Sequence, residues 1–194
     1  MSSGQSYEFA VQPEQDVLEG QAVYSCSVLR IYDLWVLAFS CRLIWRCPKS
    51  LMLANYNYNV GRRHLDVGVG TGYFLDHCRF PDGESEVTLV DLNPVVLAAN
   101  KVRLARYRPV QVHADALQPL PLPTQTYDSV GLNFLLHCLP GPWARKSAVF
   151  ANAARALRPG GRVIGSTILA AGVQVGRAAH TDAGLQLQGR IPQC

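Results

Sequence analysis

The chain has 194 residues, 48% of them hydrophobic and evenly spread, which fits one globular domain long enough to bury a core. A formal net charge of +4 is too small to point to nucleic acid by itself. Six cysteines, at 26, 41, 47, 78, 138 and 194, form no CxxC pair and no spacing with histidine suited to a metal, so they read as reduced, mostly buried thiols.

The opening MSSGQSYEFA lacks the basic start and apolar run of a signal peptide, and residues 1–16 are polar and expected to be loose. From Val17 to Cys47 the apolar positions Val28, Ile31, Trp35 and Val36 recur at helical spacing, with Arg30 and Asp33 off that face. One or two amphipathic helices ending at Pro48 are expected, either packed on the domain or serving as a lid. The most apolar part, 23–45, carries Arg30, Asp33 and Arg42, whereas a membrane span needs about 20 residues with few or no charges. The expectation is a cytoplasmic protein without a membrane span.

From residue 62 strands alternate with helices. RRHLDV, EVTLVD, PVQVHAD, YDSVGLN and GRVIGSTIL are five short β-branched or leucine-rich runs, and helical segments fall at 94–107 and 142–157. Asn93 followed by Pro94 is a helix start, and LRPGG at 157–161 is expected to end the last helix before the fifth strand. The alternation predicts an α/β sandwich with parallel pairing. A helical segment at 1–50, a ligand-binding domain at 51–170 and an irregular tail at 171–194 are the expected divisions.

DVGVGTG, 66–72, removes three side chains in five residues directly after a strand and before a segment able to start a helix. Glycines in that setting permit a tight turn and a close approach of backbone to ligand. Asp91 ends the next strand 19 residues after Gly72, where a carboxylate suits ribose hydroxyls. No GxGxxG frame fits, because Tyr73 stands where its last glycine would fall, which disfavours a nicotinamide-dependent oxidoreductase. Asp115 follows the third strand. Three acids around a glycine turn repel pyrophosphate and suit a neutral or cationic nucleoside.

DVGVGTG, VTLVDLNP, HADALQPLP, YDSVGLNFLLHCLP and LRPGGRVI resemble, in order and spacing, the successive motifs of class I S-adenosylmethionine-dependent methyltransferases over residues 62–168. IYDLWVLAFSCRLIWR, 31–46, is similar to the helix ahead of the fold in ubiquinone- and menaquinone-type methyltransferases and their small-molecule relatives. The resemblance implies a Rossmann-like sandwich with a parallel five-stranded core and N-terminal lid helices, with S-adenosylmethionine as cofactor. It implies that Asp66, Gly68, Gly70 and Gly72 hold the methionine part and that Asp91 binds ribose, with Leu92 against the adenine. Asp115 and Ala116 would meet the adenine edge, Asn133 would lie beside the methyl and carboxylate end, and Tyr24 and Tyr32 would close the pocket from the lid.

Methyl transfer from a sulfonium is a direct displacement, so alignment matters most and can supply roughly 7–11 kcal/mol. A base adds about 10²–10⁴-fold for a hydroxyl or acidic carbon. His137, four residues past Asn133, is the histidine placed for that role, or else it is packed at the top of the next helix. His113 reads as structural, and neither His64, before a buried strand, nor His77, on the helix after the glycines, suggests chemistry. STILAAG after the fifth strand offers no metal ligands, and Asn133 is followed by Phe134-Leu135 rather than an NPPY-type amino-acceptor motif. Lys101, Arg103, Arg106 and Arg108 read as a solvated helix face rather than an RNA surface. The expected reaction is O- or C-methylation of a small organic acceptor such as a phenol, quinone or polyketide-like product, with specialised metabolism as one setting. Nothing in the pattern fixes an oligomeric state.

The superfamily adds a helix and two more strands after the fifth, for which the last residues of this chain, from 172, are too few. A non-catalytic remnant, truncated or frameshifted near residue 180, is the alternative reading. Its discriminating feature is this tail; the intact glycine and acid motifs favour the enzyme.

Overall fold

The computed structural model describes residues 47–81 and 84–168 and the backbone of 6–8. Among the described residues the sheet has six strands, all parallel: β1 (Ser6–Glu8), β2 (Arg63–Val67), β3 (Glu86–Asp91), β4 (Val110–His113), β5 (Tyr127–Asn133) and β6 (Leu157–Ser166), in the order β1-β4-β3-β2-β5-β6. The five expected strands are its core, and β1 pairs with β4 at one edge, within the stretch expected to be loose. Chain order runs outward from β2 to β4 and then restarts on the other side at β5. That reversal opens a crevice at the carboxyl ends of β2 and β5, where sheets of this kind bind ligands.

Both faces of the sheet are covered, which is why β2 and β3 are buried without alternation after their exposed first residues, His64 and Asp66 of β2 included. On one face Leu89 of β3 packs with Tyr56, Leu75 and Leu104 from α1 (Lys49–Asn59), α2 (Tyr73–His77) and the end of α3 (Pro94–Arg103). On the other, Leu65, Val90, Val130 and Leu132 meet Val149, Ala153 and Ala156 of α5 (Ala148–Ala156), which follows the one-turn α4 (Trp143–Lys146). Asn93 caps α3 by accepting the Val95 N–H at 2.9 Å, with Pro94 at the first helical position, as expected.

Four elements differ from the sequence reading. The helix at 94–107 stops at Arg103 and tightens into a 3₁₀ turn at 105–107, because Pro109 disfavours helical backbone at Arg108, which takes φ +47°. The helix at 142–157 is divided at Ser147. LRPGG is not a gap between helix and strand: Leu157 already pairs with Tyr127, and the pairing resumes at Ser129–Arg162 after a bulge that contains Pro159 and Gly160. α1 was not anticipated, and it starts directly after Pro48, where the lid was expected to end. The lid itself, and the tail from residue 169, lie outside the described residues. Among the described residues no helix is long and apolar enough to cross a membrane.

Candidate cofactor site

The crevice is built on the chain leaving β2. Gly68 donates its N–H to Val90 O at 2.7 Å, tying the turn to β3. Gly68, Gly70 and Gly72 all have positive φ, at 70°, 53° and 75°, a conformation costly for residues with a Cβ. The two outer glycines are also hemmed in: a Cβ on Gly68 would meet Leu135 Cδ1 at 2.7 Å, and one on Gly72 would collide with Asn100 Oδ1. At Gly70 a Cβ would meet nothing within 4 Å among the described residues, which leaves this side of the loop open to a ligand.

The loop is braced from α3. Asn100 donates from Nδ2 to Gly70 O at 2.7 Å and to Val96 O at 2.9 Å. Arg103 donates to Thr71 O at 2.7 Å. Arg103 and Arg106 also grip Asp76 at 3.0 and 2.7 Å, and these hydrogen bonds hold its carboxyl below the usual range although burial opposes them. Part of the basic stretch is thus an internal staple rather than a freely solvated face.

Asp91 ends β3 beside the loop. Its Oδ1 accepts the Asn93 N–H at 2.9 Å, and its Oδ2 lies 3.5 Å from the Gly70 N–H, a long contact. Burial pushes its pKa up to about 6, against the stabilising backbone N–H groups and with Asp66 adding repulsion. Leu92 follows, its carbonyl held by His113 Nε2 at 2.7 Å, so His113 is structural as expected. Asp115 Oδ1 accepts the Leu117 N–H at 2.9 Å, and Asn152 of α5 donates to the carbonyls of Ala116 and Gln118 at 2.9 and 2.7 Å. These contacts fix the loop after β4 along the same crevice.

Asn133, at the end of β5, accepts from Ser166 Oγ at 3.1 Å, while its Nδ2 is buried and donates to nothing among the described residues. His137 Nε2 is the second buried nitrogen there without a partner among the described residues. Between them Phe134 takes φ +58° and stacks on Phe74. Asp66 faces inward, where its Oδ2 accepts the Tyr56 hydroxyl at 2.8 Å.

A directed chain of hydrogen bonds supports that contact. The Tyr56 oxygen lies 2.6 Å from His64 Nε2, and its single proton is already given to Asp66, so His64 Nε2 is the donor. In the neutral ring Nδ1 then accepts from Ser129 Oγ at 2.7 Å, which itself accepts the Gly61 N–H at 2.8 Å. Gly131, paired with Asp66 across β2 and β5, has room for no side chain: its Cβ would sit 2.8 Å from Asp66 Oδ2.

The structure therefore brings Gly68, Gly70, Gly72, Asp91, Leu92, Asp115, Ala116 and Asn133 to the carboxyl ends of neighbouring strands, with Asp66 just beneath. Tyr24 and Tyr32 lie outside the described residues. Sequence reasoning missed Asn100, Asn152 and the Tyr56–His64 pair. Asn100 left a signal: it is a polar residue on the otherwise apolar stripe of Val96, Leu97 and Leu104. Among the described residues no cluster of three or more His, Cys, Asp or Glu could hold a metal. An open groove of about 550 Å³ near Thr124 and Pro159 lies at the opposite, amino ends of β5 and β6.

Unpaired carboxylate capacity beside a glycine turn, an open approach at Gly70 and a buried amide donor at Asn133 fit a ligand that carries hydroxyls, a carboxylate and a cation. S-adenosylmethionine has all three. Residues 65–163 match the family described as a methyltransferase domain. The chain belongs to the class I S-adenosylmethionine-dependent methyltransferases. It is 46% identical over 162 residues to demethylluteothin O-methyltransferase of Streptomyces thioluteus, a match covering 84% of this chain and 70% of that protein. It is 43% identical over 157 residues to the physcion biosynthesis cluster O-methyltransferase of Aspergillus chevalieri, covering 80% and 70%. In fold, this methyltransferase is similar to phosphoethanolamine N-methyltransferase 2 of Haemonchus contortus in complex with S-adenosylmethionine, with a TM-score of 0.60 at 19% identity, covering 92% of this chain and 41% of that one.

Proposed function

We propose that this methyltransferase methylates a hydroxyl oxygen of a small organic acceptor. The observation that carries the site is the glycine turn braced by Asn100, open only at Gly70 and facing Asp91. The naming of its relatives from Streptomyces thioluteus and Aspergillus chevalieri as O-methyltransferases favours oxygen over carbon or nitrogen.

When bound, S-adenosylmethionine supplies an electrophilic methyl group on a sulfonium. The residues of this chain bind and orient. Asp91 accepts from the ribose hydroxyls through its ionised carboxylate. Gly68, Gly70 and Gly72 keep side chains out of the way of the methionine part, and Asp66 holds the base of the turn in place through Tyr56. Asn133 Nδ2 donates to the carboxylate end. Leu92 and Ala116 enclose the adenine, and Asp115 keeps one carboxylate oxygen for its amino group while the other fixes its own loop.

The test is product analysis. The chain is incubated with S-adenosylmethionine carrying a ¹³C-labelled methyl and a panel of phenols, enols, amines and thiols. Label appearing as methoxyl carbon supports the reading; label on nitrogen, sulfur or carbon alone contradicts it.

A further inference from the structure

The two ring nitrogens of His137 have different roles. The backbone N–H of Ile168, which can only donate, lies 3.4 Å from Nδ1, and the Thr167 hydroxyl lies 3.2 Å from the same atom. Nδ1 is therefore an acceptor, and in the neutral ring the proton sits on Nε2. That N–H is buried without an acceptor among the described residues. Burial first, and the Lys146 charge second, pull the ring's pKa down to about 4, so the neutral form prevails near pH 7. A ring in this tautomer has no lone pair at its unengaged nitrogen. It can give a hydrogen bond there and cannot take a proton.

Resting on the methyltransferase reading, we infer that His137 is a hydrogen-bond donor to the acceptor oxygen rather than its base, and that the acceptor is an acidic enol or phenol bound as its anion. The buried Nε2–H needs a negative or strongly polar oxygen, since a buried donor left unpaired is costly. The positive charge of Lys146 is close enough to act on His137 and favours an anion further. The chemistry balances without a base: the hydroxyl has already lost its proton to water, its oxygen gives the electron pair of the new O–C bond, and the sulfur keeps the pair of the C–S bond that breaks. A phenol of ordinary acidity, with a pKa of about 10, is mostly neutral at pH 7 and is a poor acceptor in such a site. A hydroxyl conjugated with a carbonyl or another electron-withdrawing group meets the requirement. His137 is thereby a positioning and specificity residue, selecting acceptors by acidity.

Two measurements test this. The first is the ¹⁵N spectrum of histidine-labelled chain at pH 7: a protonated Nε2 and a bare Nδ1 at His137 are expected, and the reverse tautomer overturns the inference. The second uses 4-nitrophenol as a probe, added to the chain saturated with S-adenosylhomocysteine and followed by visible absorbance below the probe's solution pKa. Binding as the yellow phenolate is expected, retained in His137→Gln, which keeps an N–H near Nε2, and at least tenfold weaker in His137→Ala. Binding as the neutral phenol, no binding, or equal binding by the alanine variant overturns the inference. Calorimetry with S-adenosylhomocysteine on the same samples separates the two layers. If wild type does not bind that probe, the methyltransferase reading falls and takes the inference with it; binding with the wrong nitrophenol outcome removes the inference alone. Should the alanine variant fail to fold, the wild-type spectrum and the glutamine variant still decide.

Discussion

The hydroxyl of Tyr56 donates to Asp66 Oδ2 at 2.8 Å in the interior of the protein, two residues before the first glycine of the cofactor turn. Burial, reinforced by the Asp66 charge, pushes the Tyr56 pKa well above its ordinary value, so the group stays a donor at working pH. Tyr56→Phe keeps the ring, its stacking on Phe74 and the packing, but leaves a buried carboxylate without this donor. The expected cost is about 1–3 kcal/mol of stability, read from urea denaturation, together with weaker binding of S-adenosylhomocysteine because Asp66 anchors the turn.

Gly131→Ala tests the same contact from the other side. Its Cβ would sit 2.8 Å from Asp66 Oδ2 and 3.3 Å from His64 Nε2, both buried polar atoms with fixed partners. Overpacking of this kind costs about 1–3 kcal/mol, and a lowered thermal midpoint is expected. An unchanged midpoint would show that Asp66 can move freely, contrary to the chain of hydrogen bonds described.

Asn100→Ala removes the hydrogen bond that ties α3 to Gly70 O and a second one to Val96 O within the helix. Each is worth about 0.5–1.5 kcal/mol net. Where the loop alone is loosened, the loss appears as cofactor affinity, so a several-fold to tenfold rise in the Kd for S-adenosylhomocysteine is expected by calorimetry. A stability loss with unchanged affinity would make Asn100 a packing residue only.

Asp91 gives the binding a pH dependence whose sign follows from its raised pKa of about 6. Ribose hydroxyls donate to the carboxylate, so binding favours the ionised form and releases a proton near and below pH 6. Affinity for S-adenosylhomocysteine is expected to be level above about pH 7 and to fall roughly tenfold per unit well below pH 6. Folding shows the opposite trend for this group: the folded state holds the proton more tightly than the unfolded one, so Asp91 disfavours folding as pH rises from about 4 to 6. Asp91→Asn should flatten the binding profile in that range.

Much of the fold was legible because its signals are local. The five core strands are short apolar runs, Asn93-Pro94 is a cap that the structure keeps, and glycine in the turn is dictated by positive φ. The crevice followed from the position of Asp91 after the second core strand. α1 escaped notice because KSLMLANYNYN buries only Met52 and Tyr56, too narrow a stripe to show helical periodicity. Leu157 looked like the end of a helix because Pro159 and Gly160 punctuate the sequence, yet in the sheet they form a bulge. The link from Tyr56 through His64 to Ser129 was invisible for a different reason. It joins residues up to 73 positions apart, and only the parallel register of β2 with β5 brings them together. His64 therefore suggested no chemistry in the sequence, although it joins α1 to the strand that carries Asp66.

The most direct test of the account is calorimetric titration of the chain and of Asp91→Ala with S-adenosylhomocysteine, with circular dichroism to show that both are folded. Micromolar binding by wild type, lost in the variant, is the result the site predicts. A folded wild-type chain that does not bind, or binding untouched by the Asp91 substitution, would contradict the placement of the cofactor in this crevice.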